Sequence, residues 1–148
     1  MMGKTLREHR LAAGMTQEEV ARHSGVASAN IAAYERGNRP MSQAMFTRLV
    51  KATRCPSAAL AEHASTVKDI LHDAGAVNIR VFGSVARGTD TPSSDIDLLY
   101  DVAPGATAFG LVAAGNILSQ TLGFPVELVS ARAVPERKAA ILAEAVPL

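Results

Sequence analysis

The feature that most constrains this chain is a pair of aspartates, Asp95 and Asp97, set in the apolar run Asp95-Ile96-Asp97-Leu98-Leu99-Tyr100. An apolar run this short reads as a strand, and strand side chains alternate between faces. Asp95 and Asp97 then point the same way, roughly 7 Å apart along the chain, while Ile96 and Leu98 point into a core. Two carboxylates held that close repel unless a cation lies between them, and hard divalent cations favour carboxylate oxygens. The pair asks for a metal.

The surroundings of that pair add a second feature. Residues 77–82 form another apolar strand, which breaks at Gly83-Ser84 and continues into a short helical piece at 85–87 closed by Gly88. A strand feeding a Gly-Ser turn and a helix start exposes backbone N–H groups, which bind phosphate. Arg87 can reach the same phosphates; its alternative is a surface salt bridge to Asp90 or Asp101. Before the strand, residues 57–74 carry Leu60, Ala64, Val67, Ile70 and Leu71 on one helical face. They form one bent helix or two, Ser65-Thr66 being able to cap a fresh start. Residues 108–122 read as a helix, 124–129 as a strand and 135–146 as a closing helix.

The first third of the chain is different in kind. An amphipathic helix at 3–13, with Leu6 and Leu11 inward, ends at Ala13-Gly14. Thr16 then looks like an N-cap with Glu19 as its capping-box partner. That helix stops at Gly25, and a second follows at 27–35 with Ile31 and Tyr34 as its apolar pair. Two short helices joined through a glycine turn make a helix-turn-helix pattern. Ser42 can cap a fourth helix running to Thr53.

Charge separates the same two regions. The net charge is only +1, but residues 1–66 hold nine Lys/Arg against five Asp/Glu, and 67–148 hold six against nine. That asymmetry points to two modules with different partners. The expected division is 1–64 and 65–148, without a Gly/Ser-rich linker. One cysteine, Cys55, excludes an internal disulfide framework. No apolar stretch approaches the ~18 residues of a membrane span, so a cytoplasmic, membrane-free protein is expected. The fold class is α+β: an all-α bundle of four to five helices, then a small α/β domain with a short mixed sheet.

Residues 6–50, with Thr16-Gln17, Ala21, Gly25-Val26, Ile31 and Tyr34-Glu35-Arg36-Gly37 in register, resemble the phage-repressor-like (Cro/XRE) helix-turn-helix family. The resemblance implies operator DNA as a partner, with the second helix of the pair in the major groove. Ser28, Ala29, Asn30 and Ala33 would lie nearest the bases, and Gln17, Arg10, Arg36, Asn38 and Arg39 would face phosphates. Two of the four base-facing positions are alanine, which can meet only a thymine methyl. Binding should therefore be weighted to phosphate and sensitive to salt.

Gly83-Ser84-Val85-Ala86-Arg87-Gly88 followed by Asp95-Ile96-Asp97 resembles the signature of the DNA polymerase beta-type nucleotidyltransferase superfamily, in wording closest to its minimal members. The resemblance implies that Gly83, Ser84 and Arg87 hold the phosphates of ATP or another nucleoside triphosphate. It further implies that Asp95 and Asp97 bind Mg²⁺, and that a third carboxylate on a later strand, here Glu127, joins them and orients the attacking hydroxyl. The family more usually has Asp there, and the extra methylene puts catalysis in question. Minimal nucleotidyltransferases of this kind act as antitoxins that transfer AMP to a HEPN-type toxin. The expectation is such an antitoxin, able to repress its own operon and to form homo-oligomers. Its competitor is a DNA-binding regulator whose second domain is catalytically weak and binds only nucleotide or partner.

Overall fold

The computed structural model describes residues 1–133 and 135–148, with side chains outside 135–138. The chain divides into two compact units, Met1–Cys55 and Pro56–Leu148.

The first unit has four helices: α1 (Met2–Ala12), α2 (Gln17–Ser24), α3 (Ser28–Glu35) and α4 (Gln43–Lys51). Each begins where local chemistry favours it. The Thr16 hydroxyl accepts from the Glu19 N–H at 3.1 Å, and the Thr16 N–H donates to the Glu19 carboxylate at 2.6 Å, a complete capping box. That bond to the Thr16 backbone holds the Glu19 carboxyl below its usual range. Ser42 caps α4 by accepting from the Met45 N–H. Gly25, at φ 73°, makes the left-handed turn between α2 and α3. The core is Leu6, Val20, Ile31 and Leu49, all fully buried, with Val26, Tyr34 and Ala52. Leu11, expected inward, is 56% exposed. Five residues beyond Leu6 it is turned about 140° round the helix, away from the buried stripe. Gly3 lies so close under the Tyr34 carbonyl that a Cβ would collide with it, which fixes α1 against the end of α3.

The second unit runs α5 (Pro56–Glu62), α6 (Ala64–Asp73), β1 (Ala76–Phe82), α7 (Gly83–Arg87), β2 (Ile96–Val102), α8 (Ala108–Leu122), β3 (Val126–Ser130), α9 (Pro135–Glu144) and β4 (Val146–Pro147). The sheet order is β3-β2-β1-β4. β2 and β3 are parallel, while β1 is antiparallel to both β2 and β4. The sheet is therefore mixed, as expected. One face packs under α5, α6 and α8 through Leu60, Val67, Leu71, Val81, Ile96, Leu98 and Leu118. The other face carries Phe82, Leu99 and Val129 under Ile141 of α9. Each fully buried aliphatic side chain contributes about 1.5–3 kcal/mol over leaving it in water.

Packing groups α5 with the sheet, through Ala59 and Leu60, and so divides the compact units at Cys55/Pro56. The helical run of 57–74 breaks at His63, with no side-chain cap from Ser65 or Thr66. β3 starts at Val126 rather than 124, since Phe124 enters the α8-side core and Pro125 has no N–H to give a ladder. The closing helix ends at Glu144, and Val146–Pro147 adds a fourth strand whose two residues are too few to leave a periodic signal.

Candidate functional site

The ladder between β2 and β3 pairs Asp97 with Glu127 and Leu99 with Val129, while β1 sets Phe82 opposite Asp97. Leu99, Val129 and Phe82 share the α9-side core, so Asp97 and Glu127 lie on that same face, at its open end. Paired strands are about 4.8 Å apart. Asp95, expected inside the strand, stands exposed one residue ahead of it. Glu127 is exposed and Asp97 half-buried. The sheet thus brings Asp97 and Glu127 together and leaves Asp95 at the edge. Among the described residues no three His, Cys, Asp or Glu side chains are grouped closely enough to hold a metal ion. The donor chemistry suits a hard divalent cation, and one steric fact supports the fit. The Asp97 carboxylate lies directly against Gly83, where an added Cβ would strike it. Gly83 also has φ 72°, so both its backbone shape and its neighbour require glycine.

The Gly83 turn is already engaged. Its N–H donates to Glu144 Oε1 at 2.9 Å, and Arg87 Nη1 donates to Glu144 Oε2 at 2.8 Å. The first of these bonds, then the second, holds the Glu144 carboxyl below its usual range. Arg87 therefore pairs with neither Asp90 nor Asp101. Asp101 accepts from Arg80 and Asn78, and Asp90 accepts from the Ser57 N–H. The Ser84 carbonyl accepts from the Thr89 N–H at 3.0 Å, closing α7. A cleft of about 330 Å³ lined by Tyr100, Leu111, Asn116, Ser119 and Leu128 lies on the α8 side of the sheet, away from the carboxylates. Burial in that core raises the Tyr100 hydroxyl.

In the helical unit, α2 and α3 form the expected pair. Ala29, Arg36, Asn38 and Arg39 are exposed, and Gln17, Ser28, Asn30 and Ala33 are half-buried. Two expected phosphate ligands have other work. Arg10 grips Glu35 through Nε at 2.7 Å and Nη2 at 3.0 Å, and gives Nη1 to the Met15 carbonyl at 2.8 Å. Gln17 donates to the same Glu35 carboxylate at 2.9 Å. Burial alone would raise the Glu35 carboxyl, but the bonds from Arg10 and Gln17 and the Arg10 charge hold it below the usual range. Arg39 stacks over Tyr34, 5.7 Å from the ring centroid, and donates to Asn30 Oδ1 at 2.8 Å. Arg48, which nothing in the sequence singled out, ties α4 to the turn by donating to the Ser24 carbonyl.

Glu144 is the site residue that sequence reasoning missed. The available signal was its place as the last residue of a helix, where the macrodipole disfavours an acid by about 0.3–1 kcal/mol unless a cation answers it.

Comparison with known proteins divides the chain at residues 62–64, a few residues beyond the packing boundary. A helix-turn-helix domain model matches residues 2–64, and a nucleotidyltransferase domain model matches residues 62–146. A solved structure described provisionally as a minimal nucleotidyltransferase is 36% identical, with a TM-score of 0.57 over 62% of this chain and 95% of that one. A structure described as a toxin-antitoxin with AMP-PNP is 22% identical, with a TM-score of 0.49 over 56% of this chain and 69% of that one. No curated protein matches.

Proposed function

Since this chain belongs to the nucleotidyltransferase domain family and carries a helix-turn-helix domain in front of it, we propose that it is an antitoxin-like enzyme. It transfers AMP from ATP to a hydroxyl of a partner protein and binds DNA to regulate its own synthesis. The observation that supports the transferase reading is the packing of the Asp97 carboxylate, the proposed cation ligand, against Gly83 in the turn proposed to grip phosphate. Asp95 and Asp97 would hold Mg²⁺, which when bound neutralises charge on the phosphate oxygens. Gly83, Ser84 and Arg87 hold the β- and γ-phosphates. Glu127, paired with Asp97 across the ladder, accepts the proton of the attacking hydroxyl. The acceptor oxygen bonds to the α-phosphorus, the bond to the bridging oxygen breaks, and pyrophosphate leaves with its electron pair.

The proposed acceptor is a separate macromolecule. A HEPN-type toxin with a surface tyrosine fits that requirement. On the DNA side, Asn30 Oδ1 is taken by Arg39, so this pair presents mainly N–H donors. Donors suit phosphate and guanine N7/O6 better than adenine, which needs an acceptor for its amino group.

The test is incubation of the full chain with labelled ATP, Mg²⁺ and candidate partner. Label should move to the partner with wild type, and Asp97→Asn should abolish transfer while leaving the protein folded. Nucleotide bound without transfer by wild type would favour the second reading, a nucleotide-sensing regulator. That reading gains its weight from Asp95, which stands exposed one residue ahead of β2.

A further inference from the structure

Glu144 sits where the transferase reading needs a phosphate. Its two oxygens accept from the Gly83 N–H and from the Arg87 guanidinium, both on the turn and short helix after β1, where the Asp97 carboxylate packs against Gly83. A carboxylate and a phosphate present similar anionic oxygens to such donors. One N–H cannot serve both at full strength. We propose that Glu144 is an internal stand-in for nucleotide phosphate, and that the triphosphate displaces its side chain from Gly83 and Arg87 on binding. The inference rests on the reading that this turn grips phosphate, and it adds the residue that sets how tightly.

The surroundings make displacement of the side chain cheap and displacement of the helix costly. The Glu144 side chain is 29% exposed and that of Arg87 is 54% exposed, so the pair lies at the surface, where rotation returns both groups to water. α9 itself is anchored on either side. Ile141 is buried against Phe82, Leu99 and Val129, and Val146 pairs with Val81 two residues further on. Nucleotide can therefore swing the carboxylate out without unseating the helix. An attached anion competes at high effective concentration. A ligand must bring more charge and more oxygens than one carboxylate to win, so a triphosphate is favoured over a monophosphate.

The experiment measures Mg-ATP and AMP affinity calorimetrically for wild type, Glu144→Gln, Glu144→Ala and Arg87→Ala, with melting temperatures as the folding control. The isosteric Gln keeps the shape of the side chain and removes its charge. Both Glu144 variants should bind Mg-ATP about three- to tenfold more tightly, the scale of removing one exposed charged competitor, and should prefer ATP over AMP less. Arg87→Ala should bind more weakly. If wild type binds Mg-ATP and the two Glu144 variants bind it equally or more weakly, the carboxylate is a fixed brace and the displacement idea is wrong. If neither wild type nor Glu144→Ala binds Mg-ATP, the phosphate-grip reading itself falls, and the inference with it.

Discussion

Replacing Arg10 by Met tests whether the helical unit is held by a buried ion pair. Arg10 and Glu35 side chains are 11% and 3% exposed. Arg10→Met removes three hydrogen bonds at once and leaves the Glu35 carboxylate buried with Gln17 as its remaining donor. Breaking a fully buried pair costs about 3–5 kcal/mol. With one partner about a tenth exposed, some rehydration is available, and the expected loss is about 2–4 kcal/mol. Amide hydrogen exchange reads it locally. The slowest amides of α2 and α3 should lose that protection while those of α8, in the other unit, stay unchanged. Arg10→Met with Glu35→Leu should recover much of the loss, since no buried charge remains. The sign with pH follows from the lowered Glu35 carboxyl. Its contribution is complete above the ordinary glutamate value of about 4.3 and is lost as pH falls through the lower folded value. Glu35→Gln should therefore differ from wild type at neutral pH and converge with it in acid. A change below about 0.5 kcal/mol for Arg10→Met, a surface-pair value, would refute the reasoning.

Gly83→Ala should cost about 1–2 kcal/mol for the left-handed backbone alone and push Asp97 aside. On the transferase reading, label transfer should fall about 100-fold, a drop of the size that ~1 Å misplacement produces, and thermal unfolding should report the stability loss. Arg39→Ala should weaken gel-shift binding to the protein's own upstream DNA and reduce the slope of log affinity against log salt by about one.

Much of this was legible because it is local. The capping box at Thr16 and Glu19, the Ser42 cap and the helix at 108–122 depend on neighbours within a few residues, and all stand as read. The motif at 83–97 was legible because a Gly-Ser turn followed by two aspartates at i and i+2 has few other uses. What was hidden depends on pairs distant in sequence. Arg10 looked like a surface cation because its partner lies 25 residues away. Glu144 lies 61 residues from Gly83, and its helix-terminal position was too weak a sign by itself. Asp73 also closes a helix and is simply exposed. β4 was invisible because two residues carry no period.

The connection from α8 into β3 has a consequence for how such a gene can vary. Gly123 caps α8, the Ile96 N–H donates to the Pro125 carbonyl at 2.9 Å, and the Val126 N–H donates to the Ser119 hydroxyl at 3.2 Å. These ties fix the number of residues between helix and strand. A strand that slips by one residue turns every side chain to the opposite face. One codon gained or lost at 123–125 would send Glu127 toward the α8 core and put Val126 or Leu128, respectively, opposite Asp97. In this segment length therefore matters more than identity, and a single in-frame indel would disable the carboxylate face more completely than most substitutions.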